Sequence, residues 1–301
     1  METVNIFIQT LIGGIGIGML YGLVAIGYSM IYRSMGLVNF AHAQIYMIGT
    51  YFGIIWYRGM VMGIQVPYVV AFVIGVVLNM ILGLILERIF RPLANLDLML
   101  MLLGTIGLGY VLENLAVITW GGEGFAVKAP FGEMPIWVGG IALLPQMMLL
   151  IVIAALLMVA LNVFLAKAKI GKAMRAATQD REIASAMGIP VNGTNALVFA
   201  IGCGLAAAAG ILAAPIVYVN PAMGAAVGLK GFVAFILGGA GSIPGAIVGG
   251  LVYGLVESIS AGFVNSAYTK AIAFVVMIAV LMIKPGGIVG ELTVDKVLEV
   301  P

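Results

Sequence analysis

Residues able to carry chemistry are few in this chain and widely spaced. His42 is the sole histidine and Cys203 the sole cysteine, too few nitrogen and sulfur ligands to close a zinc-type metal site. A serine nucleophile needs a base within hydrogen-bond reach. Gly241-Ser242 lies in a glycine-rich stretch, but the one imidazole belongs to a different motif. No GxxxxGK[ST] run occurs, so the chain has no P-loop to cradle a nucleotide, and any ATP chemistry must belong to another chain. The runs GGIGIG (13–18) and GGAGS (238–242) look like pieces of a dinucleotide fingerprint. Both sit in apolar stretches without the strand that the fingerprint requires. The expectation is a non-catalytic chain with no cofactor and no metal of its own. Cys203 reads as a small packing residue, and a lone cysteine excludes a disulfide within the chain.

What remains is a set of polar groups inside apolar segments, where a charge is costly and usually faces a cavity or a partner. Glu113, Lys230 and Glu257 are the charged members. Glu113 and Lys230 also read as interfacial side chains that snorkel to water, which leaves Glu257 as the best candidate to line an inner cavity. Asn39, His42 and Gln44 form a polar cluster near the start of an apolar segment. They read as lining of a solute path; His42 reads equally as a neutral side chain bonded to a neighbouring helix. The GGAGSIPG break around Ser242 exposes backbone groups that lipid does not tolerate. It fits a gate or lining element, and a packing turn equally well.

The elements that must hold these residues are set by composition. Hydrophobic residues make up 63% and charged residues 9% of the 301-residue chain, with a mean hydropathy of +1.20, against about 25% charged residues in soluble domains. This predicts an all-α, polytopic transmembrane helical bundle forming a single domain over 1–301. A membrane helix needs about 20 apolar residues. Spans are predicted over 6–32, 37–57, 67–86, 98–120, 141–166, 195–219, 243–263 and 268–283, about eight in all. The apolar stretch between 219 and 243 suits a short or discontinuous helix. The first residues carry Glu2 and no basic run, so the first segment reads as a retained span rather than a cleaved signal. A net charge of +2 gives no reason to expect nucleic acid as a partner.

One hydrophilic interruption, 167–192, carries Lys167, Lys169, Lys172, Arg175 and Arg181, five of the fourteen basic residues. Positive charge resists translocation, so this loop is placed in the cytoplasm. Arg33, Arg88 and Arg91 then fall inside and only Arg58 and Lys128 outside, as do the amino terminus and the 121–140 loop. Beyond 219 the count forks. If the short stretch crosses, Lys284 and Lys296 are cytoplasmic and Lys270 external; if it merges with the next span, the order reverses. The first is favoured. Glycines at four-residue spacing (Gly14, Gly18, Gly22; Gly49, Gly53; Gly245, Gly249; Gly250, Gly254) predict flat stripes for close helix approach, mostly within the chain and in part toward another subunit. The centre of the loop, 173–187, lacks Pro and Gly and is rich in Ala and Met, which predicts a short surface helix.

Two segments carry a specific resemblance. Tyr21 to Tyr32 (YGLVAIGYSMIY), followed by Gly36 to Tyr51 (GLVNFAHAQIYMIGTY), is similar to the amino-terminal signature of branched-chain amino acid ABC transporter permeases of the LivH type, with Ala43 replacing a usual glycine. Gly171 to Ile189 (GKAMRAATQDREIASAMGI) resembles the cytoplasmic coupling loop of that family, and Gly231 to Gly249 its later glycine-rich pattern. The resemblance implies a permease subunit of a bacterial inner-membrane importer for leucine, isoleucine and valine, with urea or short-amide permeases as near relatives. It implies a second permease, related rather than identical, two cytoplasmic ATPases that bind the ATP and Mg, and a periplasmic substrate-binding protein. Met174, Arg175, Ala177, Asp180, Ala184 and Met187 are the expected ATPase-docking residues, with Gly188 as helix cap. Asn39, His42, Gln44, Glu257 and Ser242 are the expected path residues. An ion-coupled carrier or channel is the alternative from a different class.

Overall fold

The computed structural model describes residues 2–93 and 98–290. Four helices open the chain: α1 (Glu2–Met35), α2 (His42–Tyr57), α3 (Tyr68–Leu93) and α4 (Leu98–Trp120). A hairpin of β1 (Ile136–Val138) and β2 (Ile141–Leu143) follows. The rest is helical: α5 (Pro145–Lys167), α6 (Lys169–Gln179), α7 (Arg181–Ala186), α8 (Val191–Ala213), α9 (Met223–Gly238), α10 (Ile243–Phe263) and α11 (Thr269–Ile283). Among the described residues seven helices are long and apolar enough to cross a bilayer. The fold is the expected polytopic helical bundle, and the protein is a multi-pass membrane protein. At 16 residues each, α2 and α9 fall short of that length; α11, at 15 residues, reaches it only together with the turn of 3-10 helix before it, Ser266–Ile283.

Three predicted boundaries move for local reasons. The second helix begins at His42, not at residue 37, because Gly36 at φ +75° ends α1. Asn39 then turns the chain, its Oδ1 accepting from Ala41 N at 3.1 Å and its carbonyl from His42 N at 3.1 Å. The fifth span loses its first residues to the hairpin. Gly139 and Gly140, both at positive φ (59° and 86°), sit between the paired strands, the requirement of a two-residue type I′ turn, and Pro145 opens α5 instead. The sixth span ends at Ala213, and 214–222 runs as irregular backbone tied to the 121–144 loop by the Phe125–Val219 bridge.

Small residues let the helices meet. Gly14, Gly18 and Gly22 on α1 face Gly250 and Gly254 on α10, so closely that a Cβ on Gly250 would stand 2.5 Å from Gly22 Cα. Gly245 and Gly249 approach Gly238 of α9, and Gly49 and Gly53 of α2 approach Ala207 and Ile211 of α8. The glycine stripes named from the sequence are thus occupied by contacts within the chain. The core is built on α2, α8 and the second half of α1, where Leu23, Ile26, Tyr46, Met47, Phe199 and Ala206 are sealed from solvent. Asn79 staples three helices: its Nδ2 donates to Ile45 O of α2 at 3.2 Å and to Cys203 O of α8 at 2.7 Å. Gln146 does the same at the other end, donating to Leu212 O at 2.7 Å and to the Tyr68 hydroxyl at 3.3 Å.

The ends of the bundle decide the charge count. Arg181 donates to the carbonyl of Ser34, and Ser34 Oγ donates to Asn195 Oδ1 at 2.8 Å, so the basic loop sits on the end that holds Arg33. Ser29 Oγ reaches Ser242 O at 3.5 Å, and the N–H groups of Ile288 and Val289 donate to Leu237 O and Gly238 O. Residues 284–290 therefore lie on that same basic end, and α9 runs the full way between ends. The arrangement in which the short stretch runs from one end to the other is the one found: Lys284 shares the end of the basic loop and Lys270 lies at the opposite end. Lys296 lies outside the described residues. Aromatic residues crowd the outer end, with Tyr51 stacked on Trp120 at 4.7 Å and the Arg58 guanidinium 4.2 Å from the Phe125 ring centre, as at other membrane–water boundaries.

Candidate functional site

The inner face carries two helices where one was expected over 173–187. Asp180 is extended (φ −150°, ψ 115°), ends α6 and starts α7, accepting the Ile183 N–H on Oδ1 at 2.9 Å. A short acidic side chain bonds its own downstream backbone more readily than it sits in a helix interior, so the break follows from Asp180 itself. Gly188, at φ +82°, closes α7: its N–H donates to Ser185 O at 2.9 Å and that of Ile189 to Ala184 O at 3.0 Å, a Schellman motif.

The expected docking residues divide by face. Met174 is 2% exposed, and Ala177 and Ala184 are equally buried, all three turned onto the chain's own helices; they cannot fill a partner's groove. Arg175, Asp180, Met187 and Gly188 are exposed. An amphipathic helix resting on its own bundle turns its apolar stripe inward, and Gly171, Met174 and Ala177 are that stripe. The apolar side chains left facing outward are Ile170, Ile183 (61% exposed) and Met187 (78%). Ile170 and Ile183 were missed; their signal is that they fall off the buried i, i+3, i+6 register.

The polar cluster also divides. His42 is wholly buried beneath α1, its ring 4.7 Å from that of Tyr28. Asn39 is buried in the turn before α2. Gln44 alone of the three reaches a cleft: its Nε2 donates to Glu113 Oε2 at 3.3 Å between α2 and α4. Ser242 Oγ caps α10, accepting from Gly245 N at 3.0 Å. The GGAGS break is a packing turn whose Gly238 carbonyl is taken by the C-terminal segment.

Glu257 is paired. Its Oε1 lies 2.5 Å from Lys230 Nζ, which also donates to the Tyr21 hydroxyl at 2.9 Å. The pair joins α9 to α10 and lines a cavity of about 350 Å³ whose outer rim includes Tyr218 and Asn220. On the other side of α9 a second cleft, about 270 Å³, holds Gln44 and Glu113 together with Tyr110 and Phe232. The short helix is thus a wall between two clefts, and Ala225, Ala226 and Leu229 in its first half are exposed where they line them. Charged groups at this depth facing clefts rather than packed core are what a path for a polar solute requires.

A bundle of membrane-length helices with charged clefts flanking a short helix, and an amphipathic helix pair on its basic face, defines a membrane permease. The chain belongs to the family described as branched-chain amino acid transport system / permease component, whose model matches residues 10–281. It is 35% identical, over 97% of its length and 98% of the relative, to the high-affinity branched-chain amino acid transport system permease protein LivH of Escherichia coli (strain K12). It is 33% identical to the corresponding permease protein BraD of Pseudomonas aeruginosa, over 99% of this chain and 100% of that one. A probable branched-chain amino acid transport permease protein LivH of Methanocaldococcus jannaschii is 30% identical over 89% and 88% of the two chains.

Proposed function

We propose that this chain is the permease subunit of an ABC importer that carries leucine, isoleucine and valine across a bacterial inner membrane. The observation that carries the reading is the family match over residues 10–281, with relatives named for that transport along nearly their whole length. The chain itself is non-catalytic in this reading: ATP and Mg belong to two cytoplasmic ATPase subunits. Those subunits dock on the α6–α7 surface, where Ile170, Ile183 and Met187 supply apolar contact while Arg175 and Glu182 set orientation. A rigid helix pair fastened to α1 through Arg181 and Ser34 is suited to pass ATPase closure into the bundle. A second, related permease covers the open face of α9, and a periplasmic binding protein delivers solute at the outer end.

The test is reconstitution. The chain co-expressed with its candidate partners is placed in liposomes with binding protein outside and ATP inside. Uptake of labelled leucine that requires both ATP and the ATPase subunits is expected. Gradient-driven uptake by the chain alone would instead identify a carrier, and ATP-driven uptake of urea in place of leucine would reassign the substrate.

A further inference from the structure

The geometry points to the Lys230–Glu257 pair as a transient binding site, within the permease itself, for the zwitterionic head of an aliphatic α-amino acid. This rests on the amino acid reading of the function and adds to it the place where the solute is held during passage.

The pair carries unused capacity on both sides. An ammonium has three donors; that of Lys230 uses one on Glu257 Oε1 and one on the Tyr21 hydroxyl, leaving one spare. The Glu257 carboxylate lies beside the Tyr21 hydroxyl as well as Lys230, yet an ionised carboxylate offers about four acceptor sites, and its buried Oε2 keeps acceptor capacity unused. One spare donor beside one spare acceptor is the complement of a carboxylate and an ammonium on the same carbon. Neither charge is sealed: the side chains of Lys230 and Glu257 are 22% and 16% exposed, and both line the cavity that reaches Tyr218 and Asn220.

The walls have the other half of the chemistry. Leu20, Met147, Leu150 and Val227 line the same cavity and offer an aliphatic side chain an apolar surface. On entry the solute's ammonium takes Glu257 and its carboxylate takes Lys230, so that one ion pair becomes two and no charge is left unpaired at membrane depth. On exit the original pair re-forms. The exchange needs no other reactant, and it occurs where α9 meets α10.

The test is photo-crosslinking of the assembled transporter in nanodiscs, without binding protein, using photo-leucine. Label is expected on peptides bearing Leu20, Met147, Leu150 or Val227. Excess leucine should remove it, whereas 4-methylpentanoate and isopentylamine, each with a single charge, should not. Lys230→Gln and Glu257→Gln should each lower the label at least tenfold in complexes that still co-purify. Because neutralising one partner can harm folding, the swap Lys230→Glu with Glu257→Lys keeps an ion pair but reverses the head group relative to the apolar wall, and it should remain folded and unlabelled. Wild-type labelling in the swap, or label spread over the lipid-facing surface, overturns the inference. Leucine uptake by the wild-type complex with binding protein tests the functional reading separately: its absence sinks that reading, whereas uptake with undiminished labelling in the variants sinks only the site.

Discussion

Asp180 does two jobs with one side chain: it stops α6 and caps α7 through the Ile183 N–H. Removing such a cap costs about 1 kcal/mol, and α7 has only six residues, too few to persist alone. Asp180→Ala is therefore expected to fray α7 and lower ATP-driven uptake severalfold at equal permease levels, while Asp180→Asn, which keeps an acceptor, retains most of it. Equal uptake by both variants would show that the cap is immaterial. At this scale the sequence was only partly readable. The acidic residue in the loop was visible, but not that its φ and ψ would split a helix. Glu257 was readable as an intramembrane charge. Its partner was not, because Lys230 lies on another helix and only the fold brings them to 2.5 Å. His42 stood out as the sole imidazole, yet its wholly buried ring shows that a rare residue type marks packing as readily as chemistry.

Among the elements, the α6–α7 pair separates two kinds of apolar residue. Ile183→Asp with Met187→Asp changes side chains exposed on the inner face. It is expected to reduce ATPase co-purification strongly while leaving the permease's thermal midpoint in detergent within a few degrees. Met174→Asp places a charge where the side chain is 2% exposed, and is expected to lower permease yield itself. The reverse pattern would return the docking role to the buried face. The α1–α10 contact gives a second contrast: Gly250→Val must drive a side chain into Gly22, whereas Gly13 has nothing within 4 Å. Gly250→Val should lower the midpoint by several degrees or abolish expression. Gly13→Ala should leave it unchanged or raise it, since Ala is favoured over Gly by about 1 kcal/mol in a helix. The helices were legible because apolar length is written locally. The β1–β2 hairpin was not, since two three-residue strands split by Gly139-Gly140 are too short to show an alternating pattern beside an apolar span.

For the whole molecule, the two ends are defined by backbone contacts rather than by charge alone. Single cysteines at Glu182 and Lys284 are expected to react with an impermeant maleimide only from the cytoplasmic side, and those at Glu133 and Lys270 only from the opposite side. Cys203 is fully buried, so the unaltered chain should give a low background. Labelling of the Lys270 position from the cytoplasmic side and of the Lys284 position from the opposite side would refute the crossing of α9. Charge does not decide this point because α9 is shorter than a standard span; the contacts of Ser29 with Ser242 and of Leu237 and Gly238 with Ile288 and Val289 do.

The brevity of α2 and α9 has an electrical meaning. At 16 residues each, rising about 1.5 Å per residue, they are roughly 24 Å long, against a hydrocarbon layer of about 30 Å. The shortfall lies before His42 at the inner end for α2 and before Met223 at the outer end for α9, where irregular backbone finds its partners in Asn39, Thr105 and Phe125. Beside these helices the insulating slab is thinner than lipid would make it. A polar solute following α9 therefore has less apolar length to cross than it would beside the helices that span the full layer.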